Sequence, residues 1–179
     1  MASVFLVVGA PAVGKSTTAR ALAKQFPRSI HIPVDDLRDM VVSGLVYPGG
    51  DWGPELVEQL RLARETAAQM ATSYNRAGFA VVIDDFWDPY SQLLEYGPLL
   101  QEPNLCKVLL FPSLRVAQER NEKRSGPGEW NEYLADGIRR VYGHLETYVS
   151  TLEENGWIIV DTSDQSVEAA VSHILVQAG

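Results

Sequence analysis

Five short apolar runs, separated by stretches of helical pattern, constrain the fold of this chain more than any other feature. They are SVFLVV (3–8), SIHIPV (29–34), FAVVID (79–84), CKVLLF (106–111) and WIIVD (157–161). Each is almost continuously apolar, as a strand covered on both faces must be. Between the runs the period becomes helical. Gly14–Lys24, Asp35–Ser43, Ser113–Arg124 and Gln165–Gln177 read as the shorter helices. Glu55–Arg76 carries Leu56, Leu60, Ala63, Ala67, Met70 and Tyr74 on one stripe, with Gly78 after its end. Trp130–Glu154 carries Leu134, Ile138, Val141, Leu145, Tyr148 and Leu152, with Gly156 after its end. Such stripes are core faces, and a following glycine is a common helix stop. Strand–helix alternation over five strands predicts an α/β fold: one parallel sheet with helices on both sides.

The bulk numbers bound what such a domain can do. With 179 residues and 46% hydrophobic composition, the chain suits one domain, 1–179, with a single core. Its net charge of −8 argues against a broad nucleic-acid face but not against an anion held in a local pocket. One cysteine, Cys106, excludes an internal disulfide framework and a multi-cysteine metal site. No apolar run nears the ~20 residues of a membrane span, and the first residues lack a basic leader pattern. The expectation is a soluble cytoplasmic protein, with its oligomeric state left open. Two breaker-rich loops, Val46–Pro54 (VYPGGDWGP) and Ser125–Glu129 (SGPGE), lie within the domain and are candidates for functional loops.

The first strand runs into Gly9-Ala10-Pro11-Ala12-Val13-Gly14-Lys15-Ser16, which matches G-x-x-x-x-G-K-[ST]. Glycines at this spacing let backbone N–H groups turn inward around an anion, and the helix that follows adds its positive end. In that pattern Lys15 reaches the β- and γ-phosphates and the Ser16 hydroxyl faces Mg²⁺. Gly9, Ala12, Val13, Gly14, Lys15, Ser16 and Thr17 are therefore the expected nucleotide contacts, with Thr17 facing inward in a minor role. The pattern does not say what is done with the nucleotide. No N-K-x-D base reader and no L-S-G-G-Q signature occurs. AAA+ modules are usually longer and place Glu after the second-motif Asp, where this chain has Asp84-Asp85. These exclusions leave the small P-loop kinases.

Carboxylates gather at the same sheet edge. The second strand ends in Val34-Asp35-Asp36, with Asp39 a turn later; the third ends in Asp84-Asp85, with Asp88 beyond. In an open parallel sheet the carboxyl ends of the strands form the ligand edge. A hydroxyl attacking a γ-phosphate must lose its proton, and a carboxylate in hydrogen-bond reach accepts it. Asp35 is the first choice for that base and Asp84 for the metal. Asp36 and Asp85 are candidates to orient the acceptor. Helix capping is the competing account of Asp35 and Asp36.

Cradle, V-D-D and I-D-D together resemble the chloramphenicol phosphotransferase-like small-molecule kinases. More loosely the chain is similar to gluconate-kinase-like, shikimate-kinase-like and zeta-toxin-like P-loop kinases. The resemblance implies a three-layer P-loop NTPase fold of nucleotide-kinase type with strand order 2-3-1-4-5. It also implies that Asp35 is the catalytic acid–base residue. One departure is Asp36, where the chloramphenicol enzymes are associated with a small polar residue. Another separates the chain from nucleoside-monophosphate kinases: Asp84-Asp85-Phe86-Trp87-Asp88-Pro89 lacks the arginine that holds an acceptor phosphate.

Arg115, Arg120, Lys123 and Arg124 then crowd ten residues before the SGPG break. The resemblance reads segment 113–130 as a lid, with Arg120 stacking on adenine and Arg124 stabilising the transferring phosphate; the alternative is a solvated helix face paired by Glu119 and Glu122. The acceptor region, 35–60 and 84–96, is rich in aspartate, with Arg38 its nearest cation. Tyr47, Trp52, Trp87 and Tyr90 offer rings there. His31, His144 and His173 show no ligand spacing. The expected activity is ATP- and Mg²⁺-dependent phosphorylation of a hydroxyl on a small neutral or cationic molecule, an antibiotic or a sugar among them. Lys15, Asp35 and Arg124 would be the catalytic residues, and Asp36, Arg38, Asp85 and Trp87 the acceptor contacts. Nucleic acid and membrane are not expected partners. The rivals are a nucleoside or nucleotide kinase and, in another class, an ATP-binding regulatory or toxin-like protein.

Overall fold

The computed structural model describes residues 3–47 and 52–179. Its strands are β1 (Val4–Gly9), β2 (Ser29–Pro33), β3 (Ala80–Phe86), β4 (Leu105–Leu110) and β5 (Trp157–Val160). They form one sheet in the order β2-β3-β1-β4-β5, and every pairing is parallel. The central strand is buried along its whole length, which explains why it reads as unbroken apolar sequence.

The helices are α1 (Lys15–Ala23), α2 (Val34–Asp39), α3 (Pro54–Arg76), α4 (Leu114–Ser125), α5 (Glu129–Glu154) and α6 (Val167–Ala178). α1 packs on β1, β2, β3 and α6, while α3 covers β2 and β3 and α5 covers β5. The α5 stripe behaves as its spacing requires: Ile138, Val141, Leu145 and Leu152 are buried. In α3, Leu56, Leu60, Ala63 and Ala67 face the core, but Tyr74 is 39% exposed. Among the described residues no helix is long and apolar enough to cross a membrane.

Three features differ from the sequence expectation. α2 stops at Asp39 rather than Ser43, and the chain turns away through exposed Val41 and Val42 to Gly44, whose φ is +80°. Two consecutive β-branched residues weaken a helix end, and glycine accepts the turn. β3 runs two residues beyond Asp84, to Phe86. A 3₁₀ segment, Leu94–Gln101, follows it, in a stretch without helical apolar spacing. Pro48–Asp51, the middle of the expected Val46–Pro54 loop and part of the acceptor region 35–60, lie outside the described residues.

The register sets up the site. Val7 of β1 pairs with Asp84 of β3, Gly9 with Phe86, and Pro33 of β2 with Asp84. The end of β1, the start of α2 and both aspartates of β3 thus emerge at one edge.

Candidate active site

The cradle between β1 and α1 depends on glycine at two points. Gly9 has φ +155°, and a Cβ there would stand 2.6 Å from the Leu110 carbonyl oxygen. Gly14 caps α1 in the left-handed region at φ +99°. Ala12, at φ +61°, takes the same hand between them. Successive inverted residues turn N–H groups to one side, as an anion nest needs. Gly9→Ala is expected to lower stability by ~1–3 kcal/mol through overpacking, read from the urea midpoint.

Beside this loop a cavity of about 530 Å³ opens at the sheet edge. Ala12, Gly14, Lys15, Ser16 and Thr17 enter it from the cradle, Asp35, Asp36 and Arg38 from α2, Asp84 from β3 and Arg124 from α4. Lys15 Nζ donates to the Ala10 carbonyl at 2.9 Å. Burial lowers its pKa; Asp35, Asp84 and Asp85 oppose that, and the nearby Arg124 adds to it. Two cations from distant parts of the chain therefore meet in one cavity.

Asp84 is gripped on both oxygens. Ser16 Oγ donates to Oδ1 at 2.9 Å, and His31 Nε2 lies 2.5 Å from Oδ2. His31 had no assigned role in the sequence, because its link to Asp84 spans 53 residues and exists only through β2–β3 pairing. Among the described residues no cluster of three or more His, Cys, Asp or Glu side chains is placed to hold a metal. Two protein oxygens with the rest supplied by phosphate and water is the habit of Mg²⁺, so Ser16 and Asp84 fit that ion.

Capping does not account for Asp35 and Asp36. Pro33 occupies the cap position of α2 and no side chain bonds there. Both aspartates sit in the first turn with their side chains open. Asp35 is 69% exposed, yet it opens into a cavity walled by protein. Desolvation there raises its pKa, Asp85 adds to the rise, and Lys15 and Arg38 oppose it. Arg38 is 7% exposed, donates to the Val46 carbonyl at 2.8 Å and stands 3.9 Å from Asp35.

Two acceptor candidates need correction. Asp85 does not line the cavity. Successive side chains of a strand face opposite ways, so Asp84 and Asp85 part company. Asp85 is fully buried, accepting from Arg64 Nε at 2.7 Å and from the Tyr96 hydroxyl at 3.0 Å. Trp87 touches the cavity but is 1% exposed; its indole N–H donates to His144 Nδ1 and its ring packs on His144, Tyr148 and Trp157. It is a core anchor. Thr17 is exposed rather than facing the core, yet it borders the cavity; Thr18 is the buried threonine of α1.

Arg64 is the residue the sequence hid. It sits on the α3 core stripe with no exposed surface and bonds Asp85, Asp88, Ser91 and Glu95. Its guanidinium also lies 5.0 Å from the centre of the Phe86 ring. Asp88 in turn accepts from the backbone N–H groups of Tyr90 and Ser91 and shapes the turn after β3.

The basic segment divides. Arg115 pairs with Glu119 on the surface. Arg120 donates to the Val13 carbonyl and to both oxygens of Thr162, beside a second hollow lined by Gly14, Thr17 and Gln165. Arg124 faces the main cavity. The SGPG break is a tied turn: Asn131 Nδ2 donates to the Gly126 carbonyl, and Asn121 Nδ2 to Asn131 Oδ1.

These features define a P-loop α/β domain of the kinase type, with the sheet order of that group. The chain belongs to the AAA domain family AAA_33, whose model matches residues 4–154. The family bears the AAA name although Asp85, not Glu, follows Asp84; here that residue serves Arg64. No curated protein sequence matches the chain at a significant level. Several solved structures share the fold. A gluconokinase from Sinorhizobium meliloti 1021 is 22% identical with a TM-score of 0.58, covering 98% of this chain and 91% of its own. Shikimate kinase from Acinetobacter baumannii, in complex with shikimate, is 16% identical with a TM-score of 0.66, covering 98% and 92%. Thymidylate kinase from Candida albicans is 16% identical with a TM-score of 0.67, covering 98% and 90%. A fold shared by enzymes named for a sugar acid, a cyclic acid and a nucleotide does not choose the acceptor.

Proposed function

We propose that the protein transfers the γ-phosphate of ATP to a hydroxyl of a small neutral or cationic molecule. The observation that carries this reading is the meeting of Lys15, Arg124, the Ser16–Asp84 pair and Asp35 in one cavity. Lys15 and the cradle N–H groups hold the phosphates, and Arg124 faces the charge that develops on transfer. Ser16 and Asp84 would hold Mg²⁺, which when bound neutralises phosphate charge. His31 fixes the Asp84 carboxylate. Asp35 accepts the proton as the acceptor oxygen bonds to phosphorus and the bond to the ADP oxygen breaks. Its raised pKa makes it a better base than an ordinary aspartate, provided the pH stays above that value. Arg120, held by Val13 and Thr162, offers the second hollow a fixed plane for the nucleotide base.

A reading as a kinase of anionic acceptors, nucleoside monophosphates included, has less support. Arg38 is the one arginine of α2, and it already donates to Val46 and stands 3.9 Å from Asp35. The chloramphenicol-type assignment stays a proposal within the AAA_33 family.

The test is ADP release with Mg²⁺ and a panel of sugars, aminoglycosides, phenicols and nucleosides, with mass detection of the phosphorylated product. A product from a hydroxyl compound is expected. Product only from nucleoside monophosphates, or none, removes the reading. Lys15→Ala should weaken ATP binding by roughly 10- to 100-fold, the worth of a charged hydrogen bond, and leave the thermal melt cooperative. Unchanged affinity would take Lys15 out of the phosphate site.

A further inference from the structure

The acceptor side of the cavity has an unusual lining. Six rings border it besides the buried Trp87: Tyr47, Trp52, Phe86, Tyr90, Trp130 and Tyr133. They form two groups. Trp52 lies 4.8 Å from Tyr90 and 6.0 Å from Phe86, centre to centre; Trp130 lies 5.0 Å from Tyr133 and 6.1 Å from Tyr47. Three of the rings stay well open to solvent: Tyr47 at 57%, Tyr90 at 65% and Trp130 at 54%. Large rings normally gain by burial, so rings held open around a cavity point to a ligand that covers them.

The charges select its kind. Lys15 and Arg124 belong to the phosphate end. Arg38 donates to Val46 and stands 3.9 Å from Asp35, with its buried Nε left unpartnered, and Arg140 pairs with Asp136 at 2.7 Å. Asp36 and Asp39 are exposed, border the same cavity, and make no ion pair or hydrogen bond among the described residues. Among the described residues the charges beside the rings that make no ion pair, Asp36 and Asp39, are negative. Aromatic faces are electron-rich, and cations with few hydration bonds are the groups they hold best.

We infer that the hydroxyl acceptor carries a cationic nitrogen, seated between the two ring groups beside Asp36 and Asp39, with its hydroxyl turned to Asp35. This rests on the kinase reading and narrows its substrate class. An anionic acceptor meets repulsion at Asp36 and Asp39, and a neutral polyol gains nothing from those two charges.

Titration calorimetry on the MgADP-loaded protein tests it with named probes. Kanamycin and choline carry both hydroxyl and cationic nitrogen. myo-Inositol is a neutral polyol, and shikimate and gluconate are carboxylates. At least one cationic probe should bind about 10-fold more tightly than all three others, the scale of a desolvated cation–π contact. Its affinity should fall with added salt. Asp36→Asn with Asp39→Asn, and separately Tyr90→Leu, should each weaken it severalfold while MgADP binding reports an intact fold. Equal or tighter binding of myo-inositol, shikimate or gluconate overturns the inference, as does no binding of either cation at about 10 mM. Phosphotransfer is read apart, by ADP release with MgATP. Cation binding without transfer to any compound supports the amine site and sinks the kinase. Transfer confined to a neutral or anionic compound leaves the kinase and overturns the amine.

Discussion

Arg64→Met should cost the protein about 3–5 kcal/mol of stability, the range for breaking a buried ion pair from one side. Methionine keeps most of the volume, so the loss is electrostatic. In the native protein burial works against the guanidinium charge, yet Asp85, Asp88 and Glu95 outweigh it and hold the pKa above the ordinary arginine value. Removing that one cation leaves Asp85 and Asp88, at 2% and 1% exposure, beside Glu95 with nothing to balance them. A domain of this size has only about 5–15 kcal/mol in hand. Urea unfolding should show the midpoint falling with little change in slope. The partial rescue is also specific: Asp85→Asn added to Arg64→Met should recover part of the loss, since it removes one of the stranded charges. A loss under about 1 kcal/mol would mean that water or protons reach the cluster, and that the turn carrying Phe86 and Tyr90 is held by other contacts.

That arginine also shows where sequence reasoning stopped. The strands were legible because β1 and β3 are buried on both faces and so carry no polar alternation. The cradle was legible because glycine at φ +155° and +99° has few substitutes. Arg64 was not: a charge on the Ala63–Ala67 stripe reads as a solvated neighbour, and its partners are 21 to 31 residues away. Asp84-Asp85 read as a pair because adjacent letters look alike, whereas a strand sends adjacent side chains to opposite faces. One of the two meets the cradle and the other meets α3. His31, Trp130 and Tyr133 were missed for the same reason, since strand register and the tied turn before α5 bring them to the site. The motif names the donor side; the acceptor side is assembled from long-range contacts.

Asp35→Asn should lower turnover by roughly 10²- to 10⁴-fold, the usual worth of a positioned general base. Affinity for ATP should change little, because the phosphates are held by Lys15 and the cradle. The same substitution should raise the melting temperature at neutral pH. The sign follows from linkage. The folded protein raises the Asp35 pKa, chiefly by desolvation and then through Asp85. Folding therefore favours the protonated side chain, and any stability it lends is complete below the unfolded pKa of about 3.9. That contribution is lost as pH rises from there through the higher folded value. At neutral pH the carboxylate is charged and unfavourable, and asparagine relieves it. Below the unfolded pKa wild type and variant should melt alike. The first-turn position on α2 pulls the other way, since a helix start favours negative charge by about 0.3–1 kcal/mol, so the rise in melting temperature should be small. Turnover of the wild type should fall on the acid side through a pKa above the ordinary aspartate value, and the variant should lose that limb. A variant that melts lower and turns over normally would make Asp35 a helix-terminus charge and pass the base role to Asp36. Asp85 is no longer a candidate, because its carboxylate is fully buried against Arg64 and Tyr96.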